Sequence, residues 1–110
     1  MAEAILRAAG AHTLLLTSPD MHQARERIAI DGAPIDYARF AELANRLLDE
    51  PELAGWSYFE ALTVLGWLAG ADAECDWQVV EVGLGGRLAT TNAMLSKEVA
   101  VVTPIDLEHT

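Results

Sequence analysis

The chain has 110 residues, of which 52% are hydrophobic, and a formal net charge of −10 with a single lysine, Lys97. The length fits one domain or part of one, and the hydrophobic content fits a folded core rather than a disordered chain. The negative charge argues against nucleic-acid binding, which depends on clusters of Lys and Arg, and no apolar run reaches the roughly 20 residues of a membrane-spanning helix.

The first part of the chain predicts a helix, a buried strand and a hairpin. Residues 2–9 are strong helix formers, and residues 12–17 form a short apolar run that ends in a Ser-Pro-Asp turn. Residues 28–30 precede Asp31-Gly32, a pair that favours a two-residue turn. The pattern therefore predicts a small β-hairpin completed by Pro34-Ile35.

The second part predicts two helices and two strands. Asp36 is a good N-cap for an amphipathic helix over residues 36–48. Ser57 and Glu60 have the spacing of a capping box and open an almost wholly apolar helix to about residue 71. Residues 77–82 and 99–103 are predicted as strands. Strands that alternate with helices indicate an α/β fold with parallel pairing.

A carboxylate at the end of the strand over residues 77–82 marks a candidate site. Glu81 is followed by a glycine-rich loop, and a buried Glu is costly unless it is paired or binds a cation. Ligands of open α/β sheets collect beyond the carboxyl ends of the strands. Ser18 follows the first strand and His109 follows the strand over residues 99–103, so these three residues predict a divalent-cation site.

Other interpretations of these residues stay open. Glu81 could instead reach solvent or pair with Arg87, and Asp106 or Glu108 could replace His109 as the ligand. Histidine at such a position is more often a surface residue.

The glycine loop is not a nucleotide-binding motif. A dinucleotide fingerprint needs a third glycine at position 88, which is Leu, and a P-loop needs Gly-x-x-x-x-Gly-Lys-Ser/Thr, whereas Lys97 has no such neighbours. If ATP binds, the cations that hold it must come mainly from Mg²⁺, from a few arginines or from protein segments other than these.

Five segments in order resemble the folylpolyglutamate synthase and dihydrofolate synthase family, relatives of the Mur ligases. They are Leu-Thr-Ser-Pro at 16–19, Glu-Arg-Ile-Ala-Ile-Asp-Gly at 26–32, Ser-Tyr-Phe-Glu at 57–60, Glu-Val-Gly-Leu-Gly-Gly-Arg-Leu at 81–88 with Thr91-Asn92, and Asp-Leu-Glu-His-Thr at 106–110. The resemblance implies an α/β, parallel-sheet P-loop-type (Mur ligase-like) ATPase domain that is incomplete at both ends. Residues 1–110 would be the middle part of the N-terminal ATP-binding domain, without the P-loop segment and the C-terminal glutamate-binding domain.

The resemblance also implies an activity. Family members are ATP- and Mg²⁺-dependent amide ligases that add L-glutamate to a folate or dihydropteroate carboxylate through an acyl phosphate. The expected partners are these small molecules and the missing remainder of the ligase, with no nucleic acid and no membrane, in the cytoplasm. The 110-residue chain alone is expected to be inactive.

Individual residues take roles from the resemblance. Ser18, Glu81 and His109 correspond to Mg²⁺ ligands, Phe59 to a residue that faces the pterin, and Arg27 is a second substrate-binding candidate. Ala89 stands where the family usually has an Asp associated with pterin binding, a change expected to affect dihydropteroate recognition.

Two alternative functions stand beside the folate ligase. One is a fragment of a Mur-type peptidoglycan ligase, and the other is a non-catalytic binding module derived from the same fold. The Ser-Pro loop followed by the Glu-Arg-Ile segment favours the folate ligase.

Overall fold

The computed structural model describes residues 1–107, and over them the chain forms one sheet with helices packed against it. The helices are α1 (Ala2–Ala8), α2 (Tyr37–Leu48) and α3 (Tyr58–Asp72), and the strands are β1 (Thr13–Leu16), β2 (Ile28–Ile30), β3 (Ala33–Pro34) and β4 (Trp77–Val80). No helix in this described range is both long and apolar enough to cross a bilayer.

The sheet is mixed, with strand order β3-β2-β1-β4. β1 and β4 are parallel, and the crossover between them carries α2 and α3. β1 and β2 are antiparallel, as are β2 and β3. The α/β fold is therefore confirmed: β1 and β4 show the predicted parallel pairing, and β2 and β3 form the predicted antiparallel hairpin.

Local signals in the sequence produce the predicted turns and caps. Asp31 and Gly32 both have positive φ, 48° and 80°, as the two central residues of a tight hairpin turn require. The side chain of Asp36 accepts a hydrogen bond from the backbone N–H of Arg39 at the start of α2. Ser57 and Glu60 form both hydrogen bonds of the capping box at the start of α3.

Helix α3 lies unusually close to β1 because two of its residues are glycines. A Cβ built on Gly70 would lie 2.6 Å from Cδ2 of Leu14, and one built on Gly66 would overlap the side chain of Leu16. This close contact forms the centre of the core. The buried apolar residues of the core are Leu14, Leu16, Ile28, Ile35, Leu43, Leu47, Leu62, Leu65 and Ala69.

The strand predicted over residues 99–103 is wrong. These residues have no regular secondary structure, and the side chains of Val101 and Val102 are 82% and 78% exposed. A strand needs a neighbouring strand that forms hydrogen bonds with its backbone N–H and C=O groups. Within residues 1–107 no strand of the sheet pairs with this segment. An apolar run alone therefore does not establish a strand.

Candidate functional site

The parallel pairing of β1 and β4 brings Ser18 and Glu81 together. Leu16 and Val80, the last residues of the two strands, are paired in register, and the backbone N–H of Glu81 donates to the carbonyl of Leu16 at 2.9 Å. The backbone N–H of Ser18 in turn donates to Oε2 of Glu81 at 2.7 Å across 63 residues of sequence. The ends of both strands thus meet at one edge of the sheet, as their parallel arrangement requires.

An inner cavity of about 20 Å³ lies at this edge. Its walls come from the ends of β1 and β4, the segment before β2, the first turns of α3 and the short 3-10 helix Thr90–Ala93. Four of the predicted site residues line it, namely Ser18, Arg27, Phe59 and Glu81, together with Leu16, Thr17, Leu62, Thr63 and Thr91. A volume of this size holds one water or one ion.

An outer, open cleft of about 580 Å³ adjoins the inner cavity. Ser18 and Phe59 line both spaces, so they form the boundary between them. The remaining lining residues are Pro19, Gly83, Leu84, Leu88, Ala89 and Thr90. The outer cleft has the volume of an ordinary small-molecule site.

The ring of Phe59 is held against the glycine loop. A Cβ built on Gly83 would lie 2.7 Å from Cζ of Phe59, so a larger residue at position 83 would displace the ring. Phe59 is half-buried and belongs to the first turn of α3. It therefore offers part of an aromatic surface to both spaces.

Arg27 is anchored rather than free in a solvated loop. Its Nε donates to Oδ1 of Asp20 at 2.5 Å, and its guanidinium lies 5.6 Å from the ring centroid of Tyr58. The hydrogen bond from Arg27 lowers the pKa of Asp20 and keeps that carboxylate charged. Part of the positive charge of Arg27 is thus already neutralised at the cavity wall.

Glu81 is exposed, so the expectation of a buried carboxylate is wrong. It forms no salt bridge with Arg87 in the part of the chain that the structure describes. Its carboxylate reaches solvent and is oriented by the N–H of Ser18. The position of Glu81 at the meeting point of two strands, rather than its burial, makes it a candidate ligand.

The third predicted metal ligand, His109, lies outside the described residues, as does Glu108. Asp106 is exposed, and its Oδ1 accepts from the backbone N–H of the next residue. Residues 1–107 contain no group of three or more His, Cys, Asp or Glu side chains that could hold a metal ion. The described donors for a cation are thus one carboxylate and neighbouring hydroxyls.

Thr91 lines the inner cavity, although the sequence did not predict it as a site residue. It is only 5% exposed, and its Oγ1 has no hydrogen-bond partner among the described residues. The sequence signal was the Thr-Asn pair that follows the glycine loop, but nothing in that pair indicates burial.

The chain is similar in sequence to curated proteins that are several times its length. No protein-family model matches the chain. The curated "Dihydrofolate synthase/folylpolyglutamate synthase" of Mycobacterium tuberculosis is 38% identical over 122 aligned residues, which cover 99% of this chain and 25% of that protein. The chain spans between 14% and 25% of the length of the curated relatives it matches first.

Solved structures share the fold. The folylpolyglutamate synthetase of Helicobacter pylori superimposes with a TM-score of 0.85 at 33% identity, over 94% of this chain and 27% of that chain. A bifunctional folylpolyglutamate synthase/dihydrofolate synthase with Mn, AMPPNP and L-glutamate bound gives a TM-score of 0.72 at 31% identity, over 82% of this chain and 22% of that chain. Sequence and fold thus agree over nearly all of this chain, which is similar to about a quarter of a folylpolyglutamate synthase/dihydrofolate synthase protein.

Proposed function

We propose that this chain is the part of an ATP- and Mg²⁺-dependent amide ligase that holds the divalent cation and one side of a folate substrate. The complete enzyme adds L-glutamate to a carboxylate of folate or dihydropteroate by way of an acyl phosphate. The observation that carries this proposal is the convergence of Ser18, Arg27, Phe59 and Glu81 on one cavity at the ends of β1 and β4.

The donor set fits a hard divalent cation. The Glu81 carboxylate and the Ser18 hydroxyl are oxygen ligands of the kind that Mg²⁺ prefers, and the inner cavity has the volume of a single ion. His109 would add a nitrogen ligand. Glu81 and Ser18 would hold the cation, and a cation held here would supply the charge neutralisation that phosphoryl transfer mainly requires. A solved structure similar to this chain holds Mn, AMPPNP and L-glutamate, which supports a divalent cation and a nucleotide as ligands of the complete enzyme.

The remaining site residues position the organic substrate. Phe59 presents an aromatic face for a flat heteroaromatic ring at the boundary of the outer cleft. Arg27 offers a guanidinium whose direction is fixed by Asp20 and Tyr58, so little side-chain entropy is lost when it binds an anionic group. Residues held in this way keep a substrate carboxylate close to the cation site.

The loop that binds the phosphates of ATP belongs to other parts of the complete enzyme. The sequence contains no P-loop motif. Its net charge of −10 repels the anionic phosphates of ATP unless cations balance them. We therefore assign residues 1–110 to the middle of the N-terminal ATP-binding domain. The 110-residue chain alone is expected to show no ligation.

The test is ATP-dependent incorporation of labelled L-glutamate into a folate by the complete protein that carries this chain. Glu81→Gln is expected to lower kcat/KM by about 100-fold or more because a charged ligand becomes neutral. Glu52→Gln changes an exposed carboxylate outside the cavity and is expected to leave the rate unchanged. Full activity of Glu81→Gln, or glutamate incorporation without ATP, would contradict the proposal.

A further inference from the structure

Thr91 lines the inner cavity, and its hydroxyl is buried without a hydrogen-bond partner among the described residues. Thr91 is 5% exposed and lies in the 3-10 helix Thr90–Ala93, which packs against α3. Most buried polar atoms in folded proteins have a partner, and each exception calls for an explanation. A group that enters the cavity would supply the missing partner.

Other buried threonines of this chain show that the fold normally satisfies such hydroxyls. Oγ1 of Thr13 donates to Glu3 at 2.7 Å, and Oγ1 of Thr63 donates to the carbonyl of Phe59 at 2.8 Å. Among the described residues the other buried polar side-chain atom without a partner is Nε1 of Trp67, and Trp67 lines neither the inner cavity nor the outer cleft. The unpaired hydroxyl of Thr91 is thus associated with the site.

The size of the cavity limits what can reach this hydroxyl. A space of about 20 Å³ admits a single ion or water but not an aromatic ring or a phosphate group. Its other polar walls include the carboxylate of Glu81 and Ser18. Oxygen donors around a volume of one atom suit a hard divalent cation better than any organic ligand.

We infer that the Thr91 hydroxyl is a further direct ligand of the divalent cation beside Glu81. This inference rests on the proposed function, which supplies the cation. The organic substrate then occupies the outer cleft, on the other side of Phe59 and Ser18.

The experiment is a Mn²⁺ titration of the complete protein, with free Mn²⁺ followed by electron paramagnetic resonance and no folate present. Thr91→Val keeps the shape of the side chain and removes the hydroxyl, so the Kd for Mn²⁺ is expected to rise about tenfold. Thr91→Ser retains the hydroxyl and is expected to stay within about twofold of wild type. Thr13→Val is the matched control, because Thr13 is buried, its hydroxyl is already bonded to Glu3 and it lines neither cavity, so the Kd for Mn²⁺ is expected not to change.

A second readout separates ligand binding from folding. Without metal, Thr91→Val is expected to melt at or above the wild-type temperature, because an apolar group replaces an unsatisfied buried hydroxyl. Thr91→Ala replaces Thr91→Val in the titration if the valine variant does not fold.

Each outcome of the titration decides the inference. Wild-type Mn²⁺ affinity in Thr91→Val would overturn it and leave the proposed function standing. Unchanged Mn²⁺ affinity together with weaker folate binding, measured in a separate calorimetric titration with folate, would also overturn it, since the hydroxyl would then serve the organic substrate. If the wild-type protein and Glu81→Gln both fail to bind Mn²⁺ in the presence of AMPPNP, the cation site of the proposed function falls together with the inference.

Discussion

Replacement of Gly70 by alanine is expected to destabilise the protein, although the same change stabilises most helices. Alanine in place of a helical glycine normally gains about 1 kcal/mol. Here the new Cβ would lie 2.6 Å from Cδ2 of Leu14 and 3.3 Å from its Cβ, and Leu14 is fully buried. The Cβ atom cannot rotate away, so α3 must move from β1, and overpacking of this kind costs about 1–3 kcal/mol. The net loss is therefore expected to be up to about 2 kcal/mol.

Urea unfolding of the wild type, Gly70→Ala, Leu14→Ala and the double variant measures this effect. Leu14→Ala alone is expected to cost about 2–5 kcal/mol, but it removes the atom that meets the new Cβ. The double variant should therefore be more stable than the sum of the single changes by about 1 kcal/mol or more. Gly55→Ala is the control, because nothing lies within 4 Å of a Cβ at that position. A more stable Gly70→Ala protein, with no coupling to Leu14, would refute the close contact between α3 and β1.

Three further predictions follow from the described contacts. His12 is hydrogen-bonded to Asp31 (2.5 Å) and to the Ala73 carbonyl (2.7 Å). Both contacts raise the pKa of His12, and the contact with Asp31 is the larger cause. The protonated His12 therefore stabilises the fold fully below about pH 6.5, and this stabilisation is lost as the pH rises through the raised pKa. Thermal melts between pH 6 and 9 should therefore show a larger fall for wild type than for His12→Gln, and parallel curves would contradict this. Ala89→Asp is expected to strengthen binding of dihydropteroate to the complete protein without altering its Mn²⁺ affinity, as measured by calorimetry, and equal binding would make the substitution irrelevant. Among the described residues β4 pairs on one side only, and apolar residues such as Val101 and Leu107 are exposed. Unpaired strand edges and exposed apolar surface favour association, so sedimentation of the 110-residue chain is expected to reveal self-association. A monomer at high concentration would contradict this prediction.

Short-range features of the fold could be predicted because a few neighbouring residues determine them. The capping box needs only Ser57 and Glu60, and the hairpin turn needs only Asp31 and Gly32. The segment over residues 99–103 has the composition of a strand, but strand formation depends on a partner that composition does not reveal. Local patterns therefore identified the helices and the hairpin but not the extent of the sheet.

The site could be predicted in part for a related reason. Ser18 and Glu81 follow two strands that turned out to be parallel neighbours, so their meeting needed only the topology. The anchoring of Arg27 by Asp20 and the burial of Thr91 depend on how loops fold back on the sheet, which no spacing encodes. The role of His109 stays a prediction.

The central claim is that the ends of β1 and β4 hold a divalent cation through Glu81. The most direct measurement is a crystal structure of the complete protein with Mn²⁺ and AMPPNP, with anomalous scattering recorded at the manganese absorption edge. We expect an anomalous peak at the inner cavity, within coordination distance of a Glu81 carboxylate oxygen and next to Ser18. A peak bound by other residues, or a structure in which Ser18 and Glu81 lie on separate faces, would contradict it.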